Sequence, residues 1–408
     1  MALRGSNHRP TLIAGADTGS VDAFSRLRVA NTGQRVDTVF TYDKQPLLFD
    51  ETTSGDGAAS HDSNLRAVYL TTGGTTSGNK AELRLRYYTP YTPGNSQLMA
   101  ITGTLNPDDT DFTNCKTEFG YGDSANAVGF RYDADGAHIF LRSSISGSAA
   151  DLVKVSQASW DNPVENADWT KSQIFLIDFQ SLAVGRLRFY MDRNGQLIQV
   201  HEITNDNVRT GPYWQLASLP VFWSIENTGT ANETCRALAI CSTVKSEGGP
   251  DLVDLPGFPF SASSGSVEVS TTLLPIISLQ VQPTFNSLAN RSLVFPEAVD
   301  IYSSDQPVEI RLIENGSLTD PSFAQVNANS CTYADTSATA ISGGLVVSTF
   351  YVAASNRGGS KSVDIVGRVP LSVAGAAGNV GDIFTVAAVR ASNTNANIKA
   401  AIDWKEIR

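Results

Sequence analysis

Amphipathic helical spacing is almost absent from this chain, and charge is scarce. Asp, Glu, Lys and Arg make up 17% of its 408 residues, below the quarter usual in soluble domains. No apolar run approaches the ~20 residues a membrane helix needs, so no membrane insertion is expected. The opening stretch MALRGSNHRPTLIAG has no long apolar core and predicts no cleaved leader. Basic stripes are missing too. With 30 Lys and Arg against 41 Asp and Glu, the net charge is −11. A sequence-independent nucleic-acid binder displaces counterions with such stripes, so no nucleic-acid partner is expected. Arg26, Arg28 and Arg35 form one local basic cluster, which reads as a solvated face or interface.

Cysteine and histidine are equally sparse, at four each. Cys115, Cys235, Cys241 and Cys331 include no close CxxC pair. Cys235 and Cys241 on one strand would lie about 20 Å apart, beyond disulfide reach. Free thiols and assembly in a reducing compartment follow. His8, His61, His138 and His201 stand singly, without a Cys or His at metal-ligand spacing. No nucleophile elbow, phosphate loop or zincin signature occurs. The composition therefore implies no cofactor, no metal and no catalytic residue.

Gly, Ser, Thr and Asn are abundant, and the apolar residues fall at period two. The clearest stretch is LPVFWSIENTG, where Val221, Trp223 and Ile225 share one side and Ser224 and Glu226 the other. Gly229 tolerates the positive φ of a turn. A return strand over Thr234 to Val244 would place Leu238, Ile240 and Val244 on one face, and Gly248-Gly249-Pro250 would stop it. The expectation is a long antiparallel hairpin. Asp135-Gly136 and Asn194-Gly195 are further hairpin signals, both suited to a type I′ turn. IFLIDF reads as a strand buried on both faces, and VGRLRFYM alternates.

Four groups bear weighing as sites. Asp43, Asp50 and Glu51 offer carboxylates for acid/base work, but in a polar loop without a nearby His. DADG at 133–136 opens like a calcium loop and lacks the downstream acceptors and closing Glu. Tyr87, Tyr88 and Tyr91, with Pro90 and Pro93, offer a possible aromatic contact surface of the kind that stacks on sugars or bases. Trp160, Trp169, Tyr213 and Trp214 extend the aromatic supply for a host-glycan surface.

The chain suits two domains. Residues 1–20 are expected to be an N-terminal arm and 21–250 a β-sandwich domain. Residues 251–272 are dense in Gly, Pro and Ser and read as a linker. The remaining segment, 273–408, contains about seven short strands at sandwich-like spacing. It ends on a strand in which Ile402, Trp404 and Ile407 read as buried. The fold class is all-β: two antiparallel β-sandwich or jelly-roll-like domains.

With the strands placed, the chain resembles a family of tailed-bacteriophage virion structural proteins. The matching segments are DAFSRLRVAN, YDKQPLLFDE, YTPGNSQLM, VGRLRF, LPVFWSIENTG, ICSTVKSEGG and IDWKEIR, spread from residue 22 to the last residue. Ser25 stands where this family commonly has glycine. The resemblance implies a non-enzymatic virion structural protein, a repeated subunit of the tail, baseplate or an attached fibre, assembled in the host bacterial cytoplasm. It implies copies of itself as partners, a trimer being favoured, along with other phage virion proteins. A capsid decoration (cement or head-fibre) protein and a host-glycan-binding adsorption module are the alternatives.

Overall fold

A computed structural model describes residues 31–248, 255–304, 306–353, 359–364 (backbone only), 370–373 and 381–408. The expected N-terminal arm, with Arg26, Arg28 and His8, lies outside the described residues. Among those described, regular structure is strand throughout, apart from one 3₁₀ turn at Gln157–Ser159. The all-β expectation holds.

The first unit packs an eight-stranded sheet against a seven-stranded one. Central in the larger sheet are Gln97–Thr104 and Arg236–Glu247, and central in the smaller are Cys115–Gly122 and Val221–Asn227. Period-two alternation sends Phe119, Tyr121, Trp223 and Ile225 inward from the smaller sheet. The larger sheet meets these rings with both large and small residues: Phe175 lies edge-on to Phe119 at 6.3 Å and Phe179 tilts against Tyr121 at 5.5 Å. Gly103 lies opposite Ala239, and a Cβ at Gly103 would come within 2.6 Å of the Phe119 ring. Large-into-small packing of this kind fills the space between sheets at interior density.

The stretch expected to be a hairpin is an arch. Val221–Asn227 pairs with Lys80–Leu85 and Cys115–Gly122 in one sheet, while Arg236–Glu247 pairs with Gln97–Thr104 and Ala67–Thr71 in the other. Both strands already have two neighbours, so they cannot pair with each other. The face assignment changes as well. A register irregularity between Ala239 and Cys241 turns Ala237, Ala239 and Val244 to the core, with Leu238 and Ile240 outside that cluster. An extra residue reverses which side alternate residues face.

Asn194-Gly195 does form a two-residue turn, with φ of 56° and 80° between the paired Arg193 and Gln196, as type I′ requires. At the other signal Asp133 pairs with Gly136. Only Gly136 takes a positive φ there, 92°, so the loop is Ala134-Asp135 with the glycine closing it. In Gln173–Phe179, Phe175, Ile177 and Phe179 enter the core while Leu176 and Asp178 are buried on the far face. Ile174 is exposed.

The second unit has a five-stranded and a six-stranded sheet. Phe258–Ser263 and Val267–Val269 fall inside the stretch read as linker, 251–272, and are strands instead. Both pair with the terminal strand Ala396–Ile407. Their apolar residues justify it, since the Phe260 ring stacks on Trp404 at 6.1 Å. Trp404 is fully buried and its indole N–H donates to Glu406 Oε1 at 3.2 Å. Replacing it as Trp404→Ala should cost about 3–5 kcal/mol, read as a lower denaturant midpoint with an unchanged slope. An unchanged midpoint would contradict the burial.

Candidate functional site

Two features of the described residues combine polarity with enclosure. One is a groove of about 1260 Å³ between the two units. The other is a buried ion network on the outer face of the seven-stranded sheet.

The groove is walled on the first unit by the Tyr88–Pro93 segment, the turn around Asp123 and Asn126, and the 208–219 segment. The second unit supplies the Phe285–Leu293 segment and the terminal Ile407 and Arg408. The hairpin Thr284–Phe285/Leu288–Ala289 projects Leu288 outward, 72% exposed, and Val208 opposite is 67% exposed. Arg291 reaches across the joint: its guanidinium lies 4.6 Å over the Tyr88 ring and 3.5 Å from Asp123 Oδ2.

The three tyrosines do not form the aromatic surface expected of them. Tyr87 and Tyr88 are buried, and Arg291 of the second unit covers the Tyr88 ring. The Tyr87 hydroxyl donates to Arg35 O at 3.0 Å, and burial pushes its phenol up to about 12. The Tyr88 hydroxyl donates to Asp123 Oδ2 at 2.9 Å. Burial first, and the Asp123 charge second, push that phenol upward. Tyr91 is half-buried, stacked on Phe179 at 5.9 Å, and its oxygen accepts the Leu182 N–H at 3.3 Å. Only Tyr91 offers ring surface along with Tyr88 to the groove. Trp160, Tyr213 and Trp214 are core residues, and Trp169 packs partly buried against them.

The groove holds no acid/base pair among the described residues. Its Asp123 carboxylate is occupied by Tyr88, with Oδ1 also accepting the Ala125 and Asn126 N–H groups at 2.8 Å. No histidine lines it. Of the loop carboxylates, Glu51 pairs with Lys44, and Asp43 accepts the Gln45 N–H at 2.7 Å. Asp50 lies 3.5 Å from Arg86 Nε and is raised by burial, which outweighs Arg86.

The ion network draws residues from four strands. Glu118 and Arg131 share one row of the sheet. Glu118 Oε1 accepts Arg131 Nε at 2.8 Å and Arg142 Nη2 at 2.6 Å. Arg131 also grips Asp151 with both terminal nitrogens, at 2.6 and 3.1 Å, the bidentate geometry that suits a guanidinium. Both arginines cover the Phe140 ring, at 4.8 and 5.3 Å. Burial alone would raise the Glu118 carboxyl, but Arg142 and Arg131 outweigh it and hold it at about 2. A carboxylate so held is no general acid. No signal in the sequence points to this network, because its members come from separate strands.

Asp133, Asp135 and His138 lie within metal-ligand reach of one another. The polar atoms of Asp133 and His138 are already engaged: Asp133 Oδ2 with Lys154 at 2.8 Å, Asp133 Oδ1 with the Asp135 N–H at 3.0 Å, and His138 Nδ1 with Gly136 O at 2.9 Å. A cation there would compete with an ammonium group. Arg35, the described member of the basic cluster, is buried rather than solvated.

No family model and no curated protein matches the chain. Among solved structures, the CBM2 module of the evolved Dit of Lactobacillus casei BL23 phage J-1 is 9% identical with a TM-score of 0.36, covering 54% of this chain and 99% of that one. Peanut lectin is 12% identical at a TM-score of 0.35, covering 53% of this chain and 98% of its own. Bacillus licheniformis beta-glucanase is 12% identical at 0.33, covering 51% and 97%. Likenesses of this size do not bear on chemistry.

The ion network makes a testable statement about acid. Glu118 has its folded value depressed from 4.5 to about 2, so its contribution is present above the unfolded value and lost as pH falls through the folded one. By linkage that contribution is on the order of 3 kcal/mol. Glu118→Gln should destabilise the chain by roughly 3–5 kcal/mol at neutral pH, since Arg131 and Arg142 lose the buried carboxylate they share and keep only Asp151. Denaturant midpoints between pH 5 and 2 should then fall less steeply in the variant than in the parent. Parallel slopes would contradict the assignment.

Proposed function

We propose that this protein is a non-enzymatic structural subunit of a bacteriophage virion, repeated in the tail, the baseplate or an attached fibre. The observation that carries the reading is the end strand of the six-stranded sheet, Leu345–Val352. It leaves Leu345, Val346 and Tyr351 exposed at 43%, 47% and 62%. Exposed apolar side chains grouped on one strand mark a surface for another chain, and a repeated subunit gives it one. By contrast, the end strand Ala150–Ser156 of the first unit carries the charged Asp151 and Lys154, both held in ion pairs. The full-length sequence resemblance supports the same reading.

A second reading, a host-glycan-binding adsorption module, is favoured by the groove itself. Tyr91 supplies an aromatic face beside Pro90 and Pro93, a ring on which a sugar can stack. The Asn126 and Asn290 amides at the wall are already bonded within the chain.

Light scattering after gel filtration should give a multiple of 43.5 kDa, with three copies favoured by the resemblance. Val346→Lys should shift the mass toward the single chain without changing the melting midpoint. A chain that is monomeric at every concentration and missing from purified particles would overturn the structural reading. Density maps of particles would separate tail from capsid. A glycan array without hits would remove the second reading.

A further inference from the structure

Cys115 and Cys235 are far apart in sequence, yet the segments that carry them, 111–115 and 228–235, are laced together by hydrogen bonds. Cys115 opens the strand Cys115–Gly122 and lies opposite Asn227 at the end of Val221–Asn227. Cys235 immediately precedes Arg236–Glu247, with its N–H donating to Thr72 Oγ1 at 3.1 Å. The arch between the two sheets therefore carries one thiol past the other.

The backbones on both sides are fixed by the same set of hydrogen bonds. Thr228 N–H donates to Asn114 O at 2.8 Å, and Asn114 Nδ2 donates to Thr230 O at 2.9 Å. Asp111 N–H donates to Glu233 Oε2 at 2.9 Å, and Asn232 Nδ2 to Asp111 Oδ2 at 2.7 Å. In the neutral pair, Cys235 Sγ faces the carbonyl oxygens of Asp111 and Glu233 at 3.6 and 3.7 Å. Its S–H has an acceptor there. Access exists on one side: an opening of about 390 Å³ is lined by Cys115 with Lys116, Arg131, Asp151 and Thr228.

We propose that Cys115 and Cys235 form a disulfide site, a dithiol in the reduced protein that closes when the chain meets a small two-electron oxidant. Two S–H bonds break and one S–S bond forms. Two protons and two electrons pass to the oxidant; with an azodicarboxamide, the N=N bond becomes HN–NH. Cys115 lines the opening and Cys235 does not, so the Cys115 sulfur is the one that meets the oxidant first. The remaining cysteines are placed elsewhere. Cys331 is buried in the core of the second unit, and Cys241 is half-buried further along the strand. A bond closing so long a loop restricts the unfolded chain strongly.

The test uses the folded full chain and diamide, followed by alkylation in denaturant and peptide mass spectrometry. The expected result is a peptide pair joining Cys115 to Cys235, with Cys241 and Cys331 alkylated. The titratable thiols should drop from four to two, the melting midpoint should rise, and dithiothreitol should reverse both changes. Cys115→Ser should show no such link and no rise, while Cys241→Ser should behave as the parent does. Four free thiols after treatment, or a link to Cys241 or Cys331 in place of this one, would overturn the proposal. Neither outcome depends on the chain's place in a virion.

Discussion

The joint between the two units is the constraint on which the rest of the molecule depends. Leu293 and Phe295 of the second unit are buried within the first unit's core cluster, and Ile407 packs against it. This is apolar burial of the kind that makes stable interfaces. A polar clamp sits beside it. Arg86 Nη2 donates to Asp382 Oδ1 at 2.8 Å, and Asn315 Nδ2 donates to the same oxygen at 3.0 Å. Ser372 binds both partners, its N–H on Asp382 Oδ2 and its hydroxyl on Arg86 O, each at 2.9 Å. A pair with all its lone pairs answered avoids the penalty of an incompletely satisfied buried charge. The apolar residues supply the attraction, and Arg86 sets the register.

The groove is a consequence of that joint. Arg291 must cross it to lie over Tyr88, and Arg408 is fixed at its end by Glu406 at 2.8 Å and by the Phe258 and Phe285 rings, each 4.7 Å away. Glu406 is fully buried. Burial pushes its carboxyl up, but hydrogen bonds from Ser330, Cys331 and Trp404 outweigh that and hold it below the ordinary value. The terminal strand thus ties the second core, the groove wall and the joint together through adjacent residues.

Much of this was legible from alternation and turn chemistry. Trp223, Ile225 and Trp404 lie inside, as period two places them, and Asn194-Gly195 turns because both positions accept positive φ. Alternation tells which side of a strand is buried, but not which sheet the strand joins, so an arch reads as a hairpin. It also fails across a bulge, as at Ile240. Val39 is exposed while its neighbour Phe40 is buried, and two adjacent apolar residues do not say which of them faces the core. The tyrosines were misread for a different reason. Tyr88 sits where a strand ends and is covered by Arg291, some two hundred positions later. The Glu118 network joins residues of four strands, and single-strand alternation does not tell which of them lie side by side.

The distribution of edges gives the last step. The first unit spends its charged residues on closing itself: Lys154 and Asp151 are drawn into ion pairs at one end strand, and at the other, Phe49–Ser54, Glu51 is held by Lys44. Charged side chains along an edge discourage further pairing. The second unit has no comparable charge on Leu345–Val352, where Tyr351 instead donates to Glu309 Oε2 at 3.0 Å and leaves its ring outward. Among the described residues, therefore, both end strands of the first unit's seven-stranded sheet carry paired charge, while Leu345–Val352 carries none.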